Sequence, residues 1–182
     1  MKLYKIILFS GIVLLSLQFN LFGQYKTVDG WLRAGSKPKS YDIGIDDSIT
    51  YNQKSTYYLK SIEYVTDVFG TIMKNIHPEE FLGKKVRMTG YIKSENLKGY
   101  AGMWMRVDGE KPGTVLTFDN MYNRQITGSN DWTKYEIVLD VPDSSANIGY
   151  GVLVHGEGEI WFPGLTFEVV GNDVPSTDMI KK

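Results

Sequence analysis

In the stretch Gly99-Tyr100-Ala101-Gly102-Met103-Trp104-Met105-Arg106-Val107-Asp108-Gly109, Trp104 and Arg106 alternate with the apolar residues Met103, Met105 and Val107. Successive side chains of an extended strand point to opposite faces, so burying the three apolar residues puts the indole and the guanidinium together on the other face. An indole offers a flat apolar surface on which a sugar ring can stack, and a guanidinium donates a planar fork of hydrogen bonds to hydroxyl or carboxylate oxygens. With the faces reversed, Trp104 is a core residue; the sequence leaves both readings open. The stretch Phe118-Asp119-Asn120-Met121-Tyr122-Asn123-Arg124 is dense in groups that donate and accept hydrogen bonds. It reads either as a binding loop or as a plain turn, because Asp and Asn also bond their own backbone. Trp31 and Tyr41, in a stretch expected to be irregular (30–47), could complete a pocket or lie buried beneath an N-terminal segment. The candidate ligand-binding set is therefore Trp31, Tyr41, Trp104, Arg106, Asp119, Asn120 and Arg124.

Groups able to carry catalysis are scarce. The histidines, His77 and His155, are far apart in sequence, no cysteine nucleophile exists, and no Gly-x-Ser-x-Gly elbow occurs. Glycoside hydrolysis needs two carboxyl groups about 5–10 Å apart, and Asp108, Asp119, Asp140, Glu157 and Glu159 could supply a pair, as could many sets in a chain with 21 acidic residues. No catalytic residue is assigned; the rival to a binding module is a glycan- or peptide-acting enzyme centred on Asp108, Asp119, Arg106 or His155. No cofactor is expected. Asp46-Asp47 and Asp140 with Glu168 invite a structural calcium ion, yet no ligand loop of recognisable spacing accompanies them, and no metal ligand is assigned. Trp132 and Trp161 read as structural.

These residues must be positioned by a fold built without disulfides or thiolate metal sites, in a chain of 182 residues with 42% hydrophobic residues, 12 tyrosines and 19 glycines. A net charge of −1 from 20 basic and 21 acidic residues leaves no positive field for nucleic acid. Residues 1–23 read as a secretory signal peptide: Lys2 and Lys5 precede an apolar run of 6–17, and Gly23 offers a cleavage point before Gln24. That run is too short for a membrane span of roughly 20 residues, and no cysteine follows it to accept a lipid. An uncleaved anchor is the alternative. The expected organisation is a single domain over 24–172 and a flexible tail over 173–182, exported to the periplasm or outside the cell.

Over 24–172 the dominant pattern is period-two alternation in short runs bounded by Gly, Asn, Asp and Pro, which predicts an all-β, antiparallel β-sandwich. Strands are expected at 57–62, 69–76, 86–94, 102–107, 115–118, 135–141, 148–155 and 159–170, the last breaking at Pro163-Gly164. Val86, Met88, Gly90 and Ile92 should face one way and Arg87, Thr89, Tyr91 and Lys93 the other; Tyr135, Ile137, Leu139 and Val141 repeat the division. One helical turn is expected at 78–82.

The order of several blocks carries a resemblance. Gly30-Trp31-Leu32-Arg33-Ala34-Gly35-Ser36, Tyr41-Asp42-Ile43-Gly44-Ile45-Asp46, Phe69-Gly70-Thr71, the run from Tyr100 through Gly109, Phe118-Asp119-Asn120-Met121, Arg124 and Asp131-Trp132 with Lys134-Tyr135-Glu136 resemble a bacterial jelly-roll domain found attached to AraC-type helix-turn-helix regulators, and also alone. More distantly, Gly83-Lys84-Lys85-Val86-Arg87-Met88-Thr89-Gly90-Tyr91-Ile92-Lys93-Ser94 and Asp131-Trp132-Thr133-Lys134-Tyr135 are similar to carbohydrate-binding jelly rolls of the galactose-binding type. The resemblance implies a sandwich that binds a glycan or other small polar ligand, with no particular ligand carried over. It departs at Pro163-Gly164, where the family pattern has two acidic residues. The expectation is an exported, non-catalytic module for a carbohydrate or similar ligand, with no nucleic-acid partner; a cell-surface protein-interaction module is a further alternative.

Overall fold

The computed structural model describes residues 27–180, so the leader expected at 1–23 lies outside the described residues. Ten strands run β1 (Thr27–Val28), β2 (Trp31–Gly35), β3 (Tyr41–Tyr51), β4 (Lys54–Ser61), β5 (Phe69–Ile76), β6 (Lys84–Gly109), β7 (Val115–Asp119), β8 (Ile126–Val141), β9 (Ser145–Phe162) and β10 (Leu165–Val170). The helical elements among the described residues are two 3₁₀ turns, Pro38–Ser40 and Glu79–Phe81. Every pairing is antiparallel. The fold is the expected all-β jelly-roll sandwich.

Two long strands hold the layers together. The N-terminal half of β6 pairs with β8 and β10, while its C-terminal half pairs with β9 and β7. Strand β9 pairs with β5 along its first half and with β4 along its second. Each was expected as two strands, because 95–99 and 156–158 resemble turns. They are bulges instead: Asn96, Gly99, Gly156 and Gly158 take positive φ, and the β6/β9 register shifts between Glu95 and Lys98. Extra residues bend a strand without ending it, which lets β6 and β9 pass from one layer to the other. The break at Pro163-Gly164 does occur and separates β9 from β10.

One layer has the order β2-β5-β9-β6-β7. Its inward side chains include Ile72, Met103, Met105, Val107, Ile148, Val152 and Val154, and the other layer contributes Val86, Met88, Ile92, Ile137, Leu139 and Val141, all buried in one core. The division predicted for 86–93 holds, with the odd-numbered partners Arg87, Thr89, Tyr91 and Lys93 on the wetter side. Gly90 keeps the layers close, since a Cβ there would fall 2.6 Å from the sulfur of Met103.

The stretch 30–47, expected to be irregular, contains β2 and most of β3. The register of β3 against β4 shifts between Asp46 and Thr50, a bulge within the strand. The Asp46 carboxylate accepts from the Ser48 hydroxyl at 2.6 Å, the Ser48 and Ile49 amides, and the Trp161 indole at 3.0 Å. The calcium reading therefore meets a carboxylate occupied by protein donors, while Glu168 pairs with Arg87 at 2.8 Å. The Ser48 hydroxyl, followed by the amides and the indole, outweighs desolvation and holds the Asp46 carboxyl at about 2, against 3.8 ordinarily. A depressed folded pKa stabilises above the unfolded value and ceases to do so as pH falls through the folded one. Asp46→Asn should therefore lower the urea midpoint at pH 5 and cost progressively less towards pH 2; an undiminished difference at pH 2 would contradict the assignment.

The C-terminal segment, expected to fray over 173–182, is tied down as far as it is described. The Thr177 amide donates to the Val138 carbonyl at 2.8 Å, the Val138 amide to Thr177 Oγ1 at 3.0 Å, and the Met179 amide to the Phe118 carbonyl at 2.8 Å. Asp178 Oδ1 accepts from the Phe118 amide at 3.0 Å. Backbone groups on the open edges of β7 and β8 thereby gain partners they would otherwise lack.

Candidate ligand-binding cleft

The outward face of the β2-β5-β9-β6-β7 layer carries an open cleft of about 260 Å³, lined by Phe69, Thr71, Tyr100, Trp104, Arg106, Phe118, Asn120 and Leu153. Register explains the assembly. Trp104 pairs with Gly151 and Arg106 with Gly149 on β9; on β5, Met73 and Asn75 pair with the same two glycines, while Thr71 pairs with Leu153. On the other side Phe118 of β7 lies opposite Arg106. Met103, Met105 and Val107 are fully buried, so alternation sends Trp104 and Arg106 outward.

Glycines on β9 set how the indole lies. Trp104 reaches across that strand, and its Nε1 donates to Thr71 Oγ1 at 2.8 Å; the Thr71 hydroxyl in turn donates to the Val152 carbonyl at 2.7 Å. Ring carbons Cζ3 and Cη2 lie 3.4 and 3.5 Å from where a Cβ would stand on Gly149. The indole thus rests against nearly bare backbone, locked at its nitrogen. A Cβ at Gly151 would fall 2.2 Å from the Ile72 carbonyl oxygen, a group that cannot swing aside. Gly151→Ala should therefore force β5 and β9 apart, at about 1–3 kcal/mol. Thermal unfolding should show a melting temperature lower by about 3–10 °C; an unchanged value would mean the strands approach less closely than described.

At one end of the cleft, Arg106 Nε lies 2.8 Å from Asp108 Oδ1 and its Nη2 donates to Asp108 Oδ2 at 3.1 Å. Asn147 Nδ2 bridges Asp108 Oδ2 at 3.2 Å and Asn75 Oδ1 at 3.3 Å. At the other end Tyr100 stacks on His155, centroids 4.9 Å apart and planes 10° from parallel, and meets Tyr122 edge-on at 6.0 Å.

The predicted residues divide. Trp104, Arg106 and Asn120 share the cleft. Trp31 and Tyr41 do not reach it. Trp31 is 3% exposed among Tyr57, Tyr150 and Phe162. Tyr41 is fully buried, its ring against Gly70 and its hydroxyl 2.9 Å from the Val68 and Gly156 carbonyls; burial pushes that phenol up to about 12. Both are core residues because their strands turn these positions inward.

Asp119 is also inward and fully buried. Its Oδ2 accepts from Arg124 Nη2 at 2.5 Å, and its Oδ1 from Arg124 Nη1 at 3.1 Å and the Met121 amide at 2.7 Å. Arg124 also donates to the Glu136 carbonyl at 3.1 Å. The pair clamps the 119–124 loop, where Met121 has a φ of 58° and fills the core. The clamp presents Asn120 at the cleft without itself facing it. Among the cleft residues, Phe69, Thr71, Tyr100, Phe118 and Leu153 were not singled out; once β5 and β9 are placed beside β6, their outward register positions identify them.

Of the residues named for the enzyme reading, Arg106 and Asp108 meet as an ion pair, while His155 and Asp119 lie apart from them. Asp108 and the position opposite His155 are eight residues apart on β6, roughly 26 Å at strand rise, and Asp119 points into the core. Among the described residues no cluster of three or more His, Asp or Glu could hold a metal ion, and no helix is long and apolar enough to cross a membrane.

No protein-family model matches the chain. It is 42% identical over 156 residues to a Bacillus subtilis protein named "Uncharacterized HTH-type transcriptional regulator YbfP", an overlap covering 85% of this chain and 52% of that one. The chain thus spans about half the length of the curated relative it matches. Solved structures share the fold at low identity. A family 30 carbohydrate-binding module superposes with a TM-score of 0.56 at 14% identity, covering 80% of this chain and 95% of that one. The CBM22-1 xylan-binding domain of Paenibacillus barcinonensis Xyn10C gives 0.54 at 13%, covering 78% and 86%.

Proposed function

We propose that this chain is a non-catalytic glycan-binding module whose ligand lies in the cleft on the outer face of the β2-β5-β9-β6-β7 layer. The observation that carries the reading is the Trp104 indole, laid on glycine backbone and pinned by Thr71, with Arg106 and Asn120 beside it. A largely apolar floor with a few fixed polar groups at its margin is what a sugar ring requires: its C–H face stacks on the indole and its hydroxyls bond the margin. That the fold is shared with modules named for binding carbohydrate supports the choice of ligand. The leader-like stretch 1–23 supports export.

The likeness to the Bacillus subtilis regulator favours a second use of the same cleft, as the effector pocket of a sensor domain. Both uses need a small polar ligand over Trp104. A glycan microarray probed with the full chain tests the glycan reading: saccharide binding above background, lost in Trp104→Ala, supports it, and no signal from any glycan removes it.

A further inference from the structure

Resting on that reading of the cleft, we propose that Asp108 sets the charge selectivity of the site, making it a receptor for neutral glycans and excluding uronates. Arg106 alone would attract a carboxylate, since a guanidinium fork matches one in a bidentate arrangement. In this cleft the fork is already engaged. Its Nε and Nη2 both meet Asp108, with the side chains 48% and 22% exposed. The Asp108 carboxylate is held in turn by Asn147, which also contacts Asn75. Arg106, Asp108, Asn147 and Asn75 form a chain of polar groups across β6, β9 and β5 at the margin of the Trp104 platform. Its formal charges cancel, and the amides of Asn75 and Asn147 add no charge. Such a margin matches hydroxyl groups, which both donate and accept. A uronate carboxylate would have to displace Asp108 from Arg106 or sit beside it, and like charges in close juxtaposition oppose binding. Specificity here comes from a repulsive element placed next to an attractive one.

Asp108→Asn retains an oxygen to accept from Arg106 while removing the charge. The experiment is a glycan microarray carrying neutral and uronate-containing oligosaccharides of matched length, probed with wild-type and Asp108→Asn protein of equal thermal stability, followed by titration of the best neutral and best acidic glycan. Wild-type protein should prefer neutral glycans, with affinity insensitive to sodium chloride. Asp108→Asn should raise the ratio of acidic-glycan to neutral-glycan affinity about tenfold, with a new salt dependence for the acidic glycan. Wild-type protein that binds uronates as well as neutral glycans, or an Asp108→Asn protein with unaltered selectivity, overturns the proposal while sparing the glycan reading. Absence of glycan binding by either protein overturns both. Should Asp108→Asn lose stability, the wild-type preference and its salt dependence decide the matter alone.

Discussion

Replacing Trp104 with alanine should weaken saccharide binding about 30-fold or more while leaving the fold intact. Truncation of a central aromatic hot-spot residue in a binding site costs about 2 kcal/mol or more, and here the indole is the largest of the four aromatic side chains that line the cleft and lies against the Gly149 backbone. Stability should change little, because Trp104 lies on the outer face and Thr71 keeps its bond to the Val152 carbonyl. Trp104→Phe separates two contributions. It retains an aromatic face but loses the Nε1 bond that fixes the ring, so its affinity should fall between those of wild type and Trp104→Ala. Isothermal titration with a saccharide found on the array, alongside thermal melts, checks both expectations. Equal affinity in wild type and Trp104→Ala would move the site elsewhere.

Asp119→Ala should act through the opposite route and damage stability first. Removing one partner of a buried pair leaves the other uncompensated, about 3–5 kcal/mol when both are enclosed. Arg124 is 33% exposed, so water recovers part of that loss and about 2–3 kcal/mol is expected. The Met121 amide also loses its acceptor. Melting temperature should drop by about 5–10 °C, and affinity should fall with it as Asn120 loses its fixed position. A ligand-contacting role for Asp119 would give reduced affinity at unchanged stability. Trp104→Ala and Asp119→Ala thus distinguish a residue that meets the ligand from one that holds the loop.

Alternation was strong enough to read where one face is dry and the other wet. The 86–94 run, the placement of Met103, Met105 and Val107, and so the outward direction of Trp104 and Arg106 all follow from period two. The elements hidden in the sequence are those where glycine and acidic residues do something other than turn the chain. Gly156 and Gly158 bend β9 between layers, and Asp46 anchors a bulge and the Trp161 indole. Trp31 and Tyr41 look like surface aromatics when 30–47 is read as loop; β2 and β3 then carry them into the core. Asp119 is outwardly indistinguishable from its neighbour Asn120 in sequence, yet one faces Arg124 inside and the other faces the cleft, a difference of one residue in a strand end. The cleft as a whole needed the pairing of β5, β9 and β6, which are distant in sequence.

The most direct measurement is the shift of the indole N–H resonances in ¹⁵N-labelled protein during titration with a saccharide that the array identifies. Four tryptophans give separate signals, of which Trp31 and Trp161 report the interior and Trp132 packs against Tyr51 on the other layer. Saccharide seated on the cleft floor should move the Trp104 indole resonance, whose N–H is held by Thr71, and leave the other three nearly still. Saturable binding with a stationary Trp104 signal, or with the shift confined to Trp132, would contradict the placement of the site.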